Sequence, residues 1–144
     1  MLATGVFDLL HLGHLRFLEE SKKKGGPGSK LVVVIARDKT VFRRKGNGPI
    51  VPEDQRRELV AALRVVDQAI LGREEIDLLG ILKEVKPDIV CVGYDQDAIR
   101  VAVTGLVRRE ELPVRVVRIR RFGPLGFNSS SKLKSRIAKA ISAS

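Results

Sequence analysis

The chain has two histidines, His11 and His14, three residues apart near its N-terminus. They follow a glycine turn begun at Gly5 and lead into the amphipathic segment Leu15 to Lys24. Residues at this spacing share one face of a helix. Two imidazoles therefore project together from a helix start, where free backbone N–H groups and the helix dipole attract phosphate. A second anion-binding signal lies near the other end of the chain. Ser129, Ser130 and Ser131 open a helical pattern and offer hydroxyls and free N–H groups to an anion, with plain helix capping as the alternative. Between them, Lys39, Arg43, Arg44 and Lys45 precede Gly46 and Gly48. That basic stretch reads either as a phosphate-clamping lid or as a solvated charge run.

The elements that must position these residues alternate along the chain. Strand signals are Leu2 to Thr4, Leu31 to Ala36, Gln68 to Leu71, Asp88 to Val92 and Val114 to Ile119. The second and fourth are apolar, β-branched runs of the kind found in parallel strands covered on both faces. Helix signals are Leu12 to Lys24, Glu53 to Val65, Arg73 to Val85, Gln96 to Glu110 and Ser130 to Ile141. Lys22 to Lys24 followed by Gly25 suit a helix end, and Pro52-Glu53-Asp54 suit a helix start. Segments 39–48 and 120–128 read as mobile loops. The β-α alternation predicts an α/β fold: a single doubly wound, Rossmann-like domain over residues 1–144 with a five-stranded parallel sheet. Such sheets bind ligands beyond the carboxyl ends of their strands, where strand order reverses. The marked residues follow strands: the histidine turn the first, Arg37-Asp38-Lys39 the second, Gly93-Tyr94-Asp95-Gln96 the fourth, and Arg120-Arg121 the fifth.

Composition sets outer bounds. A chain of 144 residues suits one domain that buries about 70% of its unfolded surface. A formal charge of +10 asks for anionic partners. Few aromatic residues and the lack of a nucleic-acid-binding motif favour nucleotides over nucleic acid as those partners. No apolar run is long enough to span a bilayer and no signal peptide is evident, so no membrane partner and a cytoplasmic location are expected. The single cysteine, Cys91, lies in an apolar strand pattern and is expected to be a buried small hydrophobe.

The string Gly5-Val6-Phe7-Asp8-Leu9-Leu10-His11-Leu12-Gly13-His14 resembles the G-x-F-D-x-x-H-x-G-H signature of the cytidylyltransferase-like nucleotidyltransferases, with all six fixed positions matched. A second block, Pro52 to Val60 and then Arg64-Val65-Val66-Asp67, is similar to a helix of that family, with an arginine at the place of Arg56. Arg56 and Arg64 are expected to share its face. A third, Ser129-Ser130-Ser131, resembles the family's serine element for the β- and γ-phosphates, although Asn128 replaces an apolar residue and Arg120 and Arg121 lie further upstream than usual. The resemblance implies in-line attack on the α-phosphorus of a nucleoside triphosphate, with catalysis by positioning and fixed charge. It implies catalytic roles for His11, His14, Lys39 and Arg56. Its nucleotide-binding set would be Thr4, Gly5, Val6, Phe7, Asp8, Gly13, Gly93, Asp95, Arg120, Ser129, Ser130 and Ser131. Gly13 would admit close backbone approach, and Phe7 is expected to turn its ring into the core or act as a wedge. Asp8 would hold Mg²⁺ or another divalent metal through its hydration shell, or else orient the turn.

From Ala36 to Gly72 the chain looks most like the archaeal-type FAD synthetases, which transfer the nucleotidyl group of ATP to FMN. The expected partners are then ATP, with CTP as the alternative donor, and FMN, its ring placed by Tyr94, Phe122 and Phe127. Relatives are often dimers, so a homodimer is expected. Two other readings stay open: a glycerol-3-phosphate cytidylyltransferase or other small-acceptor nucleotidyltransferase, and a non-catalytic nucleotide- or RNA-binding protein. The intact histidine pair disfavours the last.

Overall fold

The computed structural model describes residues 1–75, 77–122 and 129–144. The apolar runs form strands β1 (Leu2–Gly5), β2 (Val32–Ile35), β3 (Gln68–Leu71), β4 (Ile89–Val92) and β5 (Arg115–Arg118). All pair in parallel, in the order β3-β2-β1-β4-β5. The chain thus winds outward from β1 to β3, crosses back, and continues through β4 to β5. The order reverses between β1 and β4. There Leu2 pairs with Val90 and Ala3 with Cys91, whereas on the other side β1 pairs with β2 as far as Gly5 with Ile35. β1 and β4 therefore part toward their carboxyl ends and open a crevice, as the doubly wound arrangement requires.

Side-chain alternation sorts the core into two layers. Ala3, Val33, Ile35 and Ala69 face helices α1 (Leu12–Lys24) and α3 (Glu53–Ala61), meeting Leu18 and Val60. Leu2, Val34, Val90 and Val92 face α4 (Leu78–Val85) and α5 (Asp97–Arg109), meeting Ile81, Leu82 and Val103. Fully burying one such aliphatic side chain contributes about 1.5–3 kcal/mol, so the two-faced sheet is held mainly by these contacts. Cys91 is buried in β4 as expected, and burial raises its thiol pKa. Helix α6 (Ser130–Ser142) buries no residue of its own.

Three expectations change. Lys39 to Gly48, read as a mobile loop, contains helix α2 (Asp38–Lys45). Val41 anchors it in the core, three basic residues complement its C-terminal dipole, and Gly46 ends it in a left-handed conformation at φ 78°. Helix α3 stops at Ala61 rather than Val65, so exposed Arg64 lies beyond it and does not share its face with Arg56. Helix α4 starts at Leu78 rather than Arg73, because the Asp77 carboxylate accepts the Gly80 N–H (2.7 Å) and fixes the N-cap there. The remaining helix and strand boundaries lie within a residue of the sequence reading.

Candidate active site

A cleft of about 450 Å³ lies beyond the carboxyl ends of β1 and β4, where the strand order reverses. One wall is the turn from Gly5 to His14. The others are the β4–α5 turn, the segment after β5, the start of α6, and the end of α2 with residues 47–49. Among the described residues, Arg44, Lys45, Arg120, Arg121 and Lys134 line it against two carboxylates, Asp8 and Asp95, so the cleft suits an anion.

The histidine turn is shaped by local packing. Phe7 and Leu9 both adopt positive φ, 55° and 51°, a conformation that disfavours side chains and persists only where surrounding contacts hold it. Phe7 folds back so closely that a Cβ on Gly5 would meet its ring at 2.7 Å. Its buried ring then packs on His14 (centroids 5.3 Å apart) and Phe17 (6.5 Å), the wedge expected of it. His11 is the N-cap residue of α1 and His14 lies in its first turn. Their rings stack at 3.7 Å, and the His11 backbone N–H donates to His14 Nδ1 at 3.4 Å. That acceptor role assigns the His14 proton to Nε2. Burial, with the neighbouring His11 adding to it, lowers the His14 pKa to about 3; burial also lowers that of His11. Both rings are neutral donors at neutral pH.

Asp8 joins three elements. Its Oδ1 accepts the Val51 N–H and its Oδ2 the Ile50 N–H, both at 2.9 Å, while Lys134 Nζ of α6 lies 3.1 Å from Oδ2. Ser130 Oγ donates to the Asp8 carbonyl from the same helix. Burial opposes ionisation of Asp8, but the two N–H groups and Lys134 outweigh it and lower its pKa. Through these three contacts the carboxylate anchors the turn. No cluster of three His, Cys, Asp or Glu side chains able to hold an ion occurs among the described residues.

Arg56 departs furthest from expectation. It is wholly buried (0% exposed). Its Nε donates to Val51 O, Nη1 to Val6 O, and Nη2 to Ala36 O and Asp38 Oδ1, at 2.6–2.9 Å. It therefore braces the ends of β1 and β2 from behind and does not reach the cleft. Asp38 and Glu53 add a reciprocal cap, each carboxylate accepting the backbone N–H of the other, at 2.6 and 3.3 Å. Lys39 is also outside the cleft. Its exposed ammonium lies 3.5 Å from Glu74, whereas Arg44 and Lys45 of the same helix line the wall. The 100° rotation per residue in a helix separates them.

The remaining residues converge largely as expected. Gly5, Val6, Gly13, Gly93, Asp95, Arg120 and Ser129 to Ser131 all line the cleft. So do Tyr94, beneath the Arg121 guanidinium at 5.4 Å, and Phe122. Thr4 does not; it lines a smaller cavity on the other face of the sheet. Phe127 lies outside the described residues. Lys134 escapes the sequence reading, which marks Gln96 without a role of its own. Lys134 stands one turn after Ser130, a spacing that could have marked it. Gln96 joins the parted strands, accepting the Gly93 N–H (2.7 Å) and donating to the Thr4 carbonyl (3.0 Å); only the folded chain brings these partners together.

A reversed parallel sheet, an imidazole pair at its central crevice and two helix N-termini facing one basic cleft define a nucleotidyltransferase. The chain belongs to the cytidylyltransferase-like family, whose profile matches residues 2–136. It is 45% identical to the FAD synthase of Thermoplasma volcanium over 142 residues, 98% of this chain and 95% of that protein. With the FAD synthase of Methanopyrus kandleri the identity is 46% over 137 residues, 95% of this chain and 90% of the relative. A crystal structure from Thermoplasma volcanium GSS1, described as a lipopolysaccharide core biosynthesis protein, superposes with a TM-score of 0.76 at 46% identity, covering 85% of this chain and 96% of that one.

Proposed function

We propose that residues 1–144 act as one FMN adenylyltransferase domain, transferring the AMP moiety of ATP to the phosphate of FMN and releasing pyrophosphate. The observation that carries this reading is the stacked, neutral His11–His14 pair at the start of α1, set across the cleft from Ser129 to Ser131 at the start of α6. A phosphate oxygen of FMN attacks the α-phosphorus in line, and the bond to the bridging oxygen of pyrophosphate breaks. Charge builds on the equatorial oxygens and on the leaving group. His14 Nε2–H and the α1 N–H groups donate to those oxygens. Ser129, Ser130 and Ser131, with Arg120 and the N-terminus of α6, hold the β- and γ-phosphates. Asp95, on the turn after β4, takes the ribose hydroxyls, and Gly93 leaves room for the base.

Arg56 and Asp8 act by positioning: the first braces the ends of β1 and β2, the second fixes the turn between His14 and residues 50–51. The divalent metal, Mg²⁺ or an equivalent, would arrive with the triphosphate and neutralise its charge, and any hold of Asp8 on it would pass through a hydration-shell water. The partners in this reading are ATP and FMN. No helix among the described residues is long and apolar enough to cross a membrane. Use of ATP and FMN fits a cytoplasmic enzyme, and a homodimer belongs to the same reading, to be checked by mass in solution.

The test is a product assay with Mg²⁺, offering FMN with ATP or CTP and glycerol 3-phosphate with CTP. FAD and pyrophosphate in equal amounts from FMN and ATP are expected. A CDP-alcohol without any flavin dinucleotide would overturn the acceptor and keep the reaction class.

A further inference from the structure

Strands β1 and β4 carry the two halves of the cleft. β1 leads at Gly5 into the histidine turn, and β4 leads at Gly93 into the turn that holds Asp95. Their pairing stops early, at Leu2 with Val90 and Ala3 with Cys91. One more step of that register would set Thr4 opposite Val92. The Met1 and Gly5 carbonyls accept from Val32 and Ala36, on the β2 side, so by alternation the Thr4 carbonyl faces β4. The Val92 carbonyl accepts from Ile119, beyond β5, so by the same alternation the Gly93 N–H faces β1. A continued parallel ladder would join these two groups directly, Gly93 N–H to Thr4 C=O.

The side-chain amide of Gln96 stands between them instead. Its Oε1 accepts the Gly93 N–H at 2.7 Å and its Nε2 donates to the Thr4 carbonyl at 3.0 Å. One ladder bond is replaced by two in series across an amide, which holds the strand ends apart by that length. The Gln96 backbone N–H also donates to the Gly93 carbonyl at 3.1 Å. Both polar groups of Gly93 are thus tied to residue 96, and the turn through Tyr94 and Asp95 is closed between them. Asp95 seats against the same point: a Cβ on Gly93 would meet Asp95 Oδ1 at 3.0 Å and Gln96 Oε1 at 3.3 Å. From the edge strand, Arg118 Nη2 donates to the Tyr94 carbonyl at 2.6 Å and steadies the outer side of the turn.

We propose that Gln96 is a positioning residue whose amide sets the gap between the nucleoside-binding and phosphate-binding halves of the cleft. The assignment rests on the nucleotidyltransferase reading, in which Asp95 takes the ribose while the histidines and serines take the phosphates. A ligand that spans both halves feels the gap, and one confined to the phosphate half does not. ATP is of the first kind and inorganic triphosphate of the second. The amide suits this place because it is neutral and offers an acceptor and a donor in one plane. Asparagine carries the same groups on a side chain one methylene shorter and cannot bridge the same gap. Methionine matches the length and supplies no donor.

Titration calorimetry of the full chain with Mg²⁺ and no acceptor tests the assignment through Gln96→Met and Gln96→Asn. Both variants should bind ATP roughly three- to tenfold more weakly and inorganic triphosphate within about twofold of the wild type. Amide hydrogen exchange of the ligand-free protein should show the Gly93 N–H protected in the wild type and exchanging roughly tenfold faster in Gln96→Met. ATP affinity within about twofold of the wild type in both variants would overturn the assignment, and so would a parallel loss for ATP and triphosphate. An unprotected Gly93 amide in the wild type would overturn it whether or not the variants fold. A protein that shows the split between ATP and triphosphate and makes no FAD would overturn the acceptor alone. A wild type that binds ATP no more tightly than triphosphate would overturn the nucleoside half of the site, and the role of Gln96 with it.

Discussion

The backbone N–H of His11 points at Nδ1 of His14, 3.4 Å away, while the two rings stack at 3.7 Å. The contact fixes the orientation and the tautomer of the second imidazole, and burial keeps it neutral. At pH 7, nitrogen-15 NMR should show His14 protonated at Nε2 and unprotonated at Nδ1. Replacing it with alanine should lower turnover by orders of magnitude while nucleotide affinity stays within about tenfold, since its bond to the phosphate strengthens as charge develops. Unchanged turnover would remove His14 from the mechanism.

The same burial makes stability depend on pH. The folded pKa of His14 is lowered from 6.5 to about 3. Below 6.5 the unfolded chain takes up a proton that the native state refuses, so stability is complete above that pH and falls on acidification. By pH 4 the loss from His14 should be on the order of 3 kcal/mol. Asp8 and Asp67 shift downward from 3.8 and contribute below about pH 5, so the window from 6.5 to about 5 isolates the histidines. Urea denaturation between pH 7 and 4 should show this slope in the wild type and a shallower one in His14→Asn. Equal slopes would count against the buried, neutral assignment.

Arg56 is held by four hydrogen bonds in a site closed to solvent. Lysine there cannot reproduce the planar fork. Arg56→Lys should destabilise the fold by on the order of 3 kcal/mol, read as a lower urea midpoint. The one-sided burial of its ion pair, with the Asp38 side chain 43% exposed, places most of this loss in the three carbonyl contacts. A fully stable variant with depressed turnover would instead restore a direct role in the cleft.

Asp8→Asn separates anchoring from metal binding. Asparagine presents an amide NH₂ to one of the N–H groups that the carboxylate accepts, and it drops the charge paired with Lys134. Loss of about 1–3 kcal/mol of stability is expected, with turnover reduced and the Mg²⁺ concentration for half-maximal activity unchanged. A marked rise in that concentration would assign Asp8 to the hydration shell of the metal.

Lys39→Ala should leave turnover within roughly twofold of the wild type, because an exposed ion pair of this kind is worth about 1 kcal/mol or less and the side chain stands outside the cleft. A large loss would mean that α2 rotates when substrate binds.

The α/β class, the parallel sheet and most element positions were legible in the chain because each rests on local pattern. Apolar runs in β2 and β4 mark buried strands, and Gly25 and Pro52 mark helix ends. The sequence reading failed where a tertiary contact competes with local signal. Segment 39–48 reads as loop until Val41 finds the core, and Arg56 reads as a catalytic cation until its carbonyl partners are seen.

By itself the sequence determined the chemistry on offer: two imidazoles at one helix start, serines at another, glycine where backbone must approach a phosphate. Those features depend on residues close in the chain, which covalent spacing holds together. Only the tertiary structure decided which charges reach the site. Asp8 meets Lys134, Gln96 reaches Thr4, and Arg56 meets Val6, across separations of 126, 92 and 50 residues. Sheet order sets those meetings, and with them which carboxylate anchors the turn and which arginine is sealed away.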